Sequence, residues 1–377
     1  MKKKLNVLMI TTWYSPAEAE VMTAGVFHYE QSIALQKYCN MALYYPYDID
    51  LQCDFMKQTE RGLLTYRSKK HPGRLTRYLL WIRDFKKIYK EFKPDILHAH
   101  VGAGAGILAE VFGKIFGIPV VITEHNPIEI MNLDTARSKR RYQLAYHHSK
   151  ANVCVSADSM KRLQEYFPQE QFQVIHNGII NPNSLETSEV RYAKADRVNC
   201  CIVAAFYSKD IKGYQYLIPA MKELLDRGLP ITLHICGGGD YFDYYVNLAK
   251  ELGVAEHCIF YGNCDRSKVY DIVGQMDFNI SASIFESAGA SVQEAMLLGK
   301  PLVVTKSGGA NSLVTSDTAI VVDRESTSAL VEGIEQMIER LSEFDANKIK
   351  EYAFVNFEID EVSKKYVELY ESTAKKQ

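Results

Sequence analysis

At 377 residues the chain exceeds what a single hydrophobic core usually organises, so two domains are expected. Hydrophobic residues at 47%, charged residues at 24% and a net charge of -2 describe an ordinary soluble globular protein, and the bulk charge gives no reason to expect a nucleic-acid partner. The eight cysteines include no C-x-x-C and most sit in apolar strand patterns, so they read as buried, reduced thiols of a cytoplasmic protein rather than a structural zinc site.

The start, M-K-K-K-L-N-V-L-M-I, has the outline of a signal peptide, but its apolar run is too short for one. A first strand of a parallel sheet is the better reading. After a polar loop, Ala24-Gly25-Val26 opens a helix to about Lys37, with Gly25 as a turn glycine, and Met41 to Pro46 is a second strand. Basic residues crowd between Lys57 and Lys93, while Tyr78, Trp81, Phe85 and Tyr89 recur at helical spacing. A basic amphipathic helix suits an anionic membrane surface or an acidic partner, and a solvated face over a domain core fits the same pattern.

Asp95 to His100 reads as a strand, and Gly102, Gly104 and Gly106 lead into a helix with Glu124 about twenty residues further on. This imitates a dinucleotide fingerprint, yet G-x-G-x-x-G needs glycine where Ile107 stands. Thr123, Glu124 and His125 end the next strand. Arg137, Lys139, Arg140 and Arg141 form a second basic cluster in the same half. Ala151 to Ser156 and Phe172 to Ile175 are short strands, Asn177-Gly178 is a turn, and Asn181 to Ser184 makes a hinge between domains 1–180 and 181–353.

The second domain opens with a buried strand, Cys200 to Ala205, then Phe206 to Gly213 and a helix from about Tyr214. Ile231 to Cys236 and Cys258 to Tyr261 are further strands, closed by Gly237 to Gly239 and by Gly262-Asn263. The most informative stretch runs from Asn279 to Ser312. It reads as a strand from Phe278 to Ser281, a turn holding Glu286, a helix from about Gly289 to Leu298, a strand from Pro301 to Val304 and a Gly308-Gly309 turn. A helix start reached through the small residues Ser287, Ala288 and Gly289 suits an anion such as a phosphate. Glu294, about a turn and a half inside that helix, suits a vicinal diol such as a ribose, because one carboxylate accepts two hydroxyls.

Glutamates eight apart with small residues between them, followed by E-A-M-x-x-G-x-P-x-V-x-T and Gly-Gly, resemble the signature of the retaining glycosyltransferases of family 4. P-D-I-L-H-A-H and G-I-P-V-V-I-T-E-H are similar to that family's N-terminal domain. The resemblance spans nearly the whole chain. It implies an α/β protein of the GT-B fold, with two Rossmann-like domains facing across a cleft, a final segment (354–377) crossing back to the first domain, and a nucleotide-sugar donor held mainly by the second.

Residue by residue, the resemblance implies that Gly25 approaches the donor phosphates and that His100 lies against the transferred sugar. Thr123, Glu124 and His125 would reach the acceptor, and Gly262 and Asn263 the base. Lys212 would hold the diphosphate with the backbone of Ser287 to Gly289, Glu286 the sugar hydroxyls and Glu294 the ribose. The family's G-R-L-x-x-x-K-G keeps Lys212-Gly213 but has Phe206 or Tyr207 in the arginine's place, so Lys209 is the candidate for the missing charge. The glutamate of the family's Gly-Gly-x-x-Glu is Ser312 here.

No general base stands out near an acceptor, which agrees with a retaining route in which the leaving phosphate takes the acceptor proton. No Asp-x-Asp stands beside the diphosphate residues, so no cofactor and metal-independent activity are expected. The expected donor is a UDP-sugar ahead of a GDP-sugar. The acceptor is a glycan, carried on a membrane lipid pyrophosphate in surface-polysaccharide assembly, with the protein peripheral on the inner face of the membrane. Two alternatives stay open: a glycosidase with Glu286 and Glu294 as acid and base, and a nucleotide-sugar-binding protein without catalysis.

Overall fold

Apolar runs buried on both faces require helices on both sides of a sheet, and the chain builds two such sheets. The computed structural model describes residues 4–14, 25–182 and 190–375. Asn183 and Ser184 of the expected hinge lie outside them. The chain divides into one unit of Met1–Gly178 with Ile359–Gln377 and another of Ile179–Glu358.

The first unit carries β1 (Asn6–Ile10), β2 (Asn40–Asp48), β3 (Phe55–Glu60), β4 (Leu63–Lys69), β5 (Ile96–His100), β6 (Val120–Glu124), β7 (Ala151–Cys154) and β8 (Phe172–Val174). Their order across the sheet is β3-β4-β2-β1-β5-β6-β7-β8. All neighbours are parallel except β3 and β4, and β1 lies between β2 and β5, with Val7 facing Met41 and Ile96. The order therefore reverses direction between β1 and β5, where open α/β sheets leave a crevice at their carboxyl ends.

The hairpin β3-β4 is absent from the sequence reading, which runs the basic residues together as one region. Arg61 and Gly62 both adopt positive φ (49° and 86°), which makes the tight turn, and Lys57, Arg67 and Lys69 lie on its strands. Arg67 is not part of a basic surface. It is buried, with its Nε 2.7 Å from Asp48 Oδ2 and its Nη1 3.9 Å from Glu60 Oε1. Asp48-Ile49-Asp50, the chain's Asp-x-Asp, is thereby committed, since Asp48 also accepts from the backbone of Asp50 and Leu51. The helical spacing that begins near Tyr78 is real, within a helix Arg74–Phe92.

The expected final helix from Phe354 is two helices, Ala346–Phe357 and Ile359–Ala374, broken at the extended Glu358. Val362, Tyr366 and Tyr370 of the last one pack on Val7, Met9 and Leu43 and complete the core of the first unit. Tyr370 Oη lies 2.7 Å from His98 Nδ1, and Tyr366 Oη 3.1 Å from Thr123 Oγ1.

The second unit holds β9 (Val198–Val203), β10 (Ile231–Cys236), β11 (Cys258–Phe260), β12 (Phe278–Ser281), β13 (Leu302–Thr305) and β14 (Ala319–Val322). Its sheet, all parallel, runs β11-β10-β9-β12-β13-β14, the doubly wound order with its reversal between β9 and β12. Of the two residues where the resemblance leads one to expect arginine, Tyr207 is exposed and Phe206 belongs to this unit's core. It stacks on Tyr214 at 4.2 Å and meets Phe242 and Tyr245, so no charge occupies that place.

Candidate active site

In the second unit the two loops at the sheet reversal meet through their side chains. Lys212, after β9, places Nζ 2.5 Å from Oε1 of Glu286, which follows β12. The same oxygen accepts from Ser283 Oγ at 2.9 Å, and Thr305 Oγ1 donates to the Ser283 carbonyl at 2.5 Å, so the carboxylate is held from β12 and β13 together. Gly213 is required beside Lys212. Its φ is 74°, and a Cβ there would stand 1.9 Å from the Ala282 carbonyl oxygen. The lysine is thus delivered by a backbone pressed directly against the end of β12.

The small residues 287–289 prove to be packing neighbours of the Gly-Gly turn. Glu286 N donates to Ser307 O and Gly309 N donates to Glu286 O, each at 2.9 Å. A Cβ on Gly309 would meet Ser287 O at 2.1 Å. The helix Ala290–Leu297 then starts after Gly289 (φ 97°) with no side-chain cap, leaving its positive end facing this loop. Ser312, in place of the family's glutamate, spends its hydroxyl on Gly309 O at 2.7 Å.

Glu294 sits in that helix and accepts from Tyr270 Oη at 3.0 Å, a partner that the sequence reading did not find. Lys209 is not gathered with Lys212. It is exposed, with Nζ 4.5 Å over the ring of Tyr244, so the arginine's charge is not restored at the Lys212–Glu286 pair. Gly262, at φ 68°, accepts from Gly237 N at 3.0 Å, and Asn263 lies against Gly238, which joins the ends of β10 and β11.

In the first unit His100 ends β5 at the sheet reversal, fully buried. Its Nδ1 is 2.8 Å from His125 Nε2, the two rings stack at 4.9 Å, and His28 meets His100 edge-on at 4.5 Å. His28, on the buried face of the helix Val26–Leu35, gave no signal in the sequence. Gly25 precedes that helix at φ 74°, under the Trp13 carbonyl. Burial holds all these imidazoles below their usual range, His125 down to about 3 and His28 and His100 well below 6.5. Among the described residues, His100 Nε2 and both nitrogens of His28 have no hydrogen-bond partner. The ligand atoms of His28, His100 and His125 lie within 4.8 Å of one another, the one such group among the described residues with a geometry open to a metal ion.

Thr123 and Glu124 are not turned outward as the sequence reading expects. Thr123 is buried between His98 Nε2 (2.8 Å) and Tyr366. Glu124 is buried too and accepts from the backbone of Gly102, His125 and Asn126 and from Tyr146 Oη, at 2.7 to 3.1 Å. A strand-end carboxylate saturated by four donors is a clamp for loops. It fixes Gly102, next to Val101, whose φ of 79° is strained for a β-branched residue.

Two family models match this chain: "Glycosyl transferases group 1" over residues 188–354 and "Glycosyltransferase Family 4" over residues 54–180. An uncharacterized glycosyltransferase of Methanocaldococcus jannaschii is 25% identical over 336 residues, 82% of this chain and 84% of its own. Among solved structures, sucrose-phosphate synthase from Thermosynechococcus elongatus superposes with a TM-score of 0.81 at 14% identity, covering 99% of this chain and 100% of its own. HepE of Anabaena in complex with UDP does so with 0.77 at 18% identity, covering 98% and 100%.

Proposed function

The chain belongs to the family 4 glycosyltransferases and has their GT-B fold, and we propose that it moves a sugar from a nucleoside diphosphate sugar to a glycan acceptor with retention of configuration. The observation that carries this reading is the Lys212–Glu286 pair at the β9/β12 reversal, beside an uncapped helix start. A lysine there meets the donor diphosphate and stabilises it as it departs, while the backbone of residues 287–289 and the helix dipole add to the anion's environment. Glu286, released from Lys212 by the incoming phosphate, takes sugar hydroxyls. Glu294 takes the ribose.

His100, neutral and with Nε2 unpartnered, offers a hydrogen bond to a hydroxyl of the transferred sugar. The departing phosphate itself accepts the acceptor proton, so no separate base is needed and the reaction runs without a metal. The donor is taken as a UDP-sugar ahead of a GDP-sugar. The acceptor glycan is carried on a membrane lipid pyrophosphate in assembly of a surface polysaccharide, and the protein works peripherally at an anionic membrane face. No helix among the described residues is long and apolar enough to cross a membrane.

Calorimetric titration with UDP, GDP and ADP in metal-free buffer tests the donor site, with micromolar binding of one nucleotide expected. The anomeric configuration of the product, read by NMR, tests retention. Failure of all three nucleotides to bind would end this reading.

A further inference from the structure

At the carboxyl ends of β1, β2 and β5 the first unit has a second recess, a cavity of about 380 Å³. Its lining includes Lys70, Arg77 and Arg141 and, among the described residues, no carboxylate, in a chain whose net charge is -2. Lys70 and Arg141 are exposed and Arg77 is half-buried, so together they give the recess a positive potential that favours an anion. Neither Lys70 nor Arg77 makes an ion pair among the described residues. Arg141 Nη2 donates 2.8 Å to Ala103 O, and Arg77 has a buried Nε with no hydrogen-bond partner among the described residues.

The remaining wall is aromatic. Trp81 is fixed by its Nε1 donating 2.7 Å to Pro46 O, Tyr47 and Tyr78 meet it edge-on at 5.1 and 5.4 Å, and the Arg77 guanidinium lies 5.4 Å from its ring centre. Guanidinium forks match phosphate oxygens, and aromatic faces match the apolar side of a sugar or an isoprenoid. On the helix that carries Arg77 and Trp81, Leu75 and Leu79 stand one turn apart and exposed at 75% and 61%.

We propose that this recess is an anion subsite for the acceptor, in which Lys70, Arg77 and Arg141 clasp a phosphate or pyrophosphate while Tyr47, Tyr78 and Trp81 hold the group attached to it. The inference rests on the transferase reading above and adds the site in the first unit that takes the acceptor's anion, whichever molecule carries it. A lipid-borne pyrophosphate and a soluble sugar phosphate share this anion.

Only Trp13 and Trp81 are present in the chain, so the Trp13→Phe variant reports on the recess through Trp81 alone. Its fluorescence is titrated with inorganic pyrophosphate and with geranyl pyrophosphate, under saturating UDP so that the donor site is occupied. A saturable change is expected, with affinity falling tenfold or more when Arg77→Gln and Arg141→Gln are added and UDP affinity unchanged. Lys70→Gln, at an exposed side chain outside the core, gives a second variant in which affinity falls severalfold.

No saturable change, or equal affinity in all variants, overturns the subsite. Loss of UDP binding with the Trp81 response intact sinks the transferase reading and leaves the anion site standing. Geranyl pyrophosphate binding at least tenfold tighter than pyrophosphate assigns the lipid source, and equal binding assigns a soluble phosphate.

Discussion

Lys212 and Glu286, from loops that follow two neighbouring parallel strands, stand 2.5 Å apart with side chains 29% and 18% exposed. A pair that is neither solvated nor sealed is well suited to exchange one partner for a substrate. On the proposed reading, Glu286 keeps Ser283 when Lys212 leaves it for the donor diphosphate. The same contact that joins the two loops would then hold the lysine ready for that exchange.

Lys212→Ala is expected to lower kcat by about a hundredfold or more, since removing a preorganised group that stabilises departing charge costs on the order of 2.7–4 kcal/mol in the barrier. Steady-state turnover with saturating donor checks this. A kcat within threefold of the parent protein would remove Lys212 from the chemistry.

Glu294→Ala is expected to weaken nucleotide binding by roughly ten- to a hundredfold, from the loss of charged hydrogen bonds worth about 1.5–3 kcal/mol. Tyr270→Phe is the companion measurement. It removes the hydroxyl that donates to Glu294 Oε1 and leaves the carboxylate in place, so its affinity stays much closer to that of the parent. Equal losses in both variants would mean that the Glu294–Tyr270 contact serves the fold and not the ribose.

Much of this site could be read from the sequence because it rests on local signals. Glu286, Gly289, Glu294 and Gly308 lie within one strand-turn-helix-strand passage, and the buried runs at Ile231–Cys236 and Phe278–Ser281 have the observed strand limits. What escaped depends on contacts distant in the chain. Arg67 reads as one more surface cation until Asp48 and Glu60 are brought to it, and Lys209 reads as a phosphate ligand until Tyr244 lies beneath it. Thr123 and Glu124 end a strand, where ligand contacts are common, yet whether such side chains turn outward is decided by Tyr146, Tyr366 and the loop at Gly102.

Turnover is expected to persist in EDTA. The chain's Asp-x-Asp is tied to Arg67, and the diphosphate charge is assigned to Lys212 and backbone amides. Activity lost in the chelator and restored by Mn²⁺ or Mg²⁺ would overturn this. Chelation also tests the His28, His100 and His125 group, because loss restored by Zn²⁺ alone would place the ion there.

Stability of the first unit is expected to fall as the pH drops below about 6.5. Burial pushes His98 and His125 down to about 3, so the folded protein refuses protons that the unfolded chain takes up from pH 6.5 downward. The contribution is fully present above 6.5 and is lost progressively toward pH 3, at about 1.4 kcal/mol per pH unit for each histidine. Urea midpoints at pH 7, 6 and 5 measure the slope, and a flat profile would contradict it.

Arg67→Ala is expected to destabilise the first unit by about 3–5 kcal/mol, because it leaves the buried Asp48 carboxylate without its guanidinium. Asp48 loses its 2.7 Å ion pair, while Glu60 loses a guanidinium 3.9 Å away and keeps the hydroxyls of Tyr14 at 2.9 Å and Thr65 at 3.0 Å. Both tryptophans, Trp13 and Trp81, belong to the unit that contains Arg67, so fluorescence during denaturation follows that unit even if the other unfolds separately. The double variant Arg67→Met with Asp48→Asn recovers part of the loss, since it removes one stranded charge. A single-variant loss below about 0.5 kcal/mol, within the range of ordinary surface substitutions, would show that water reaches these carboxylates and that the pair is not a buried one.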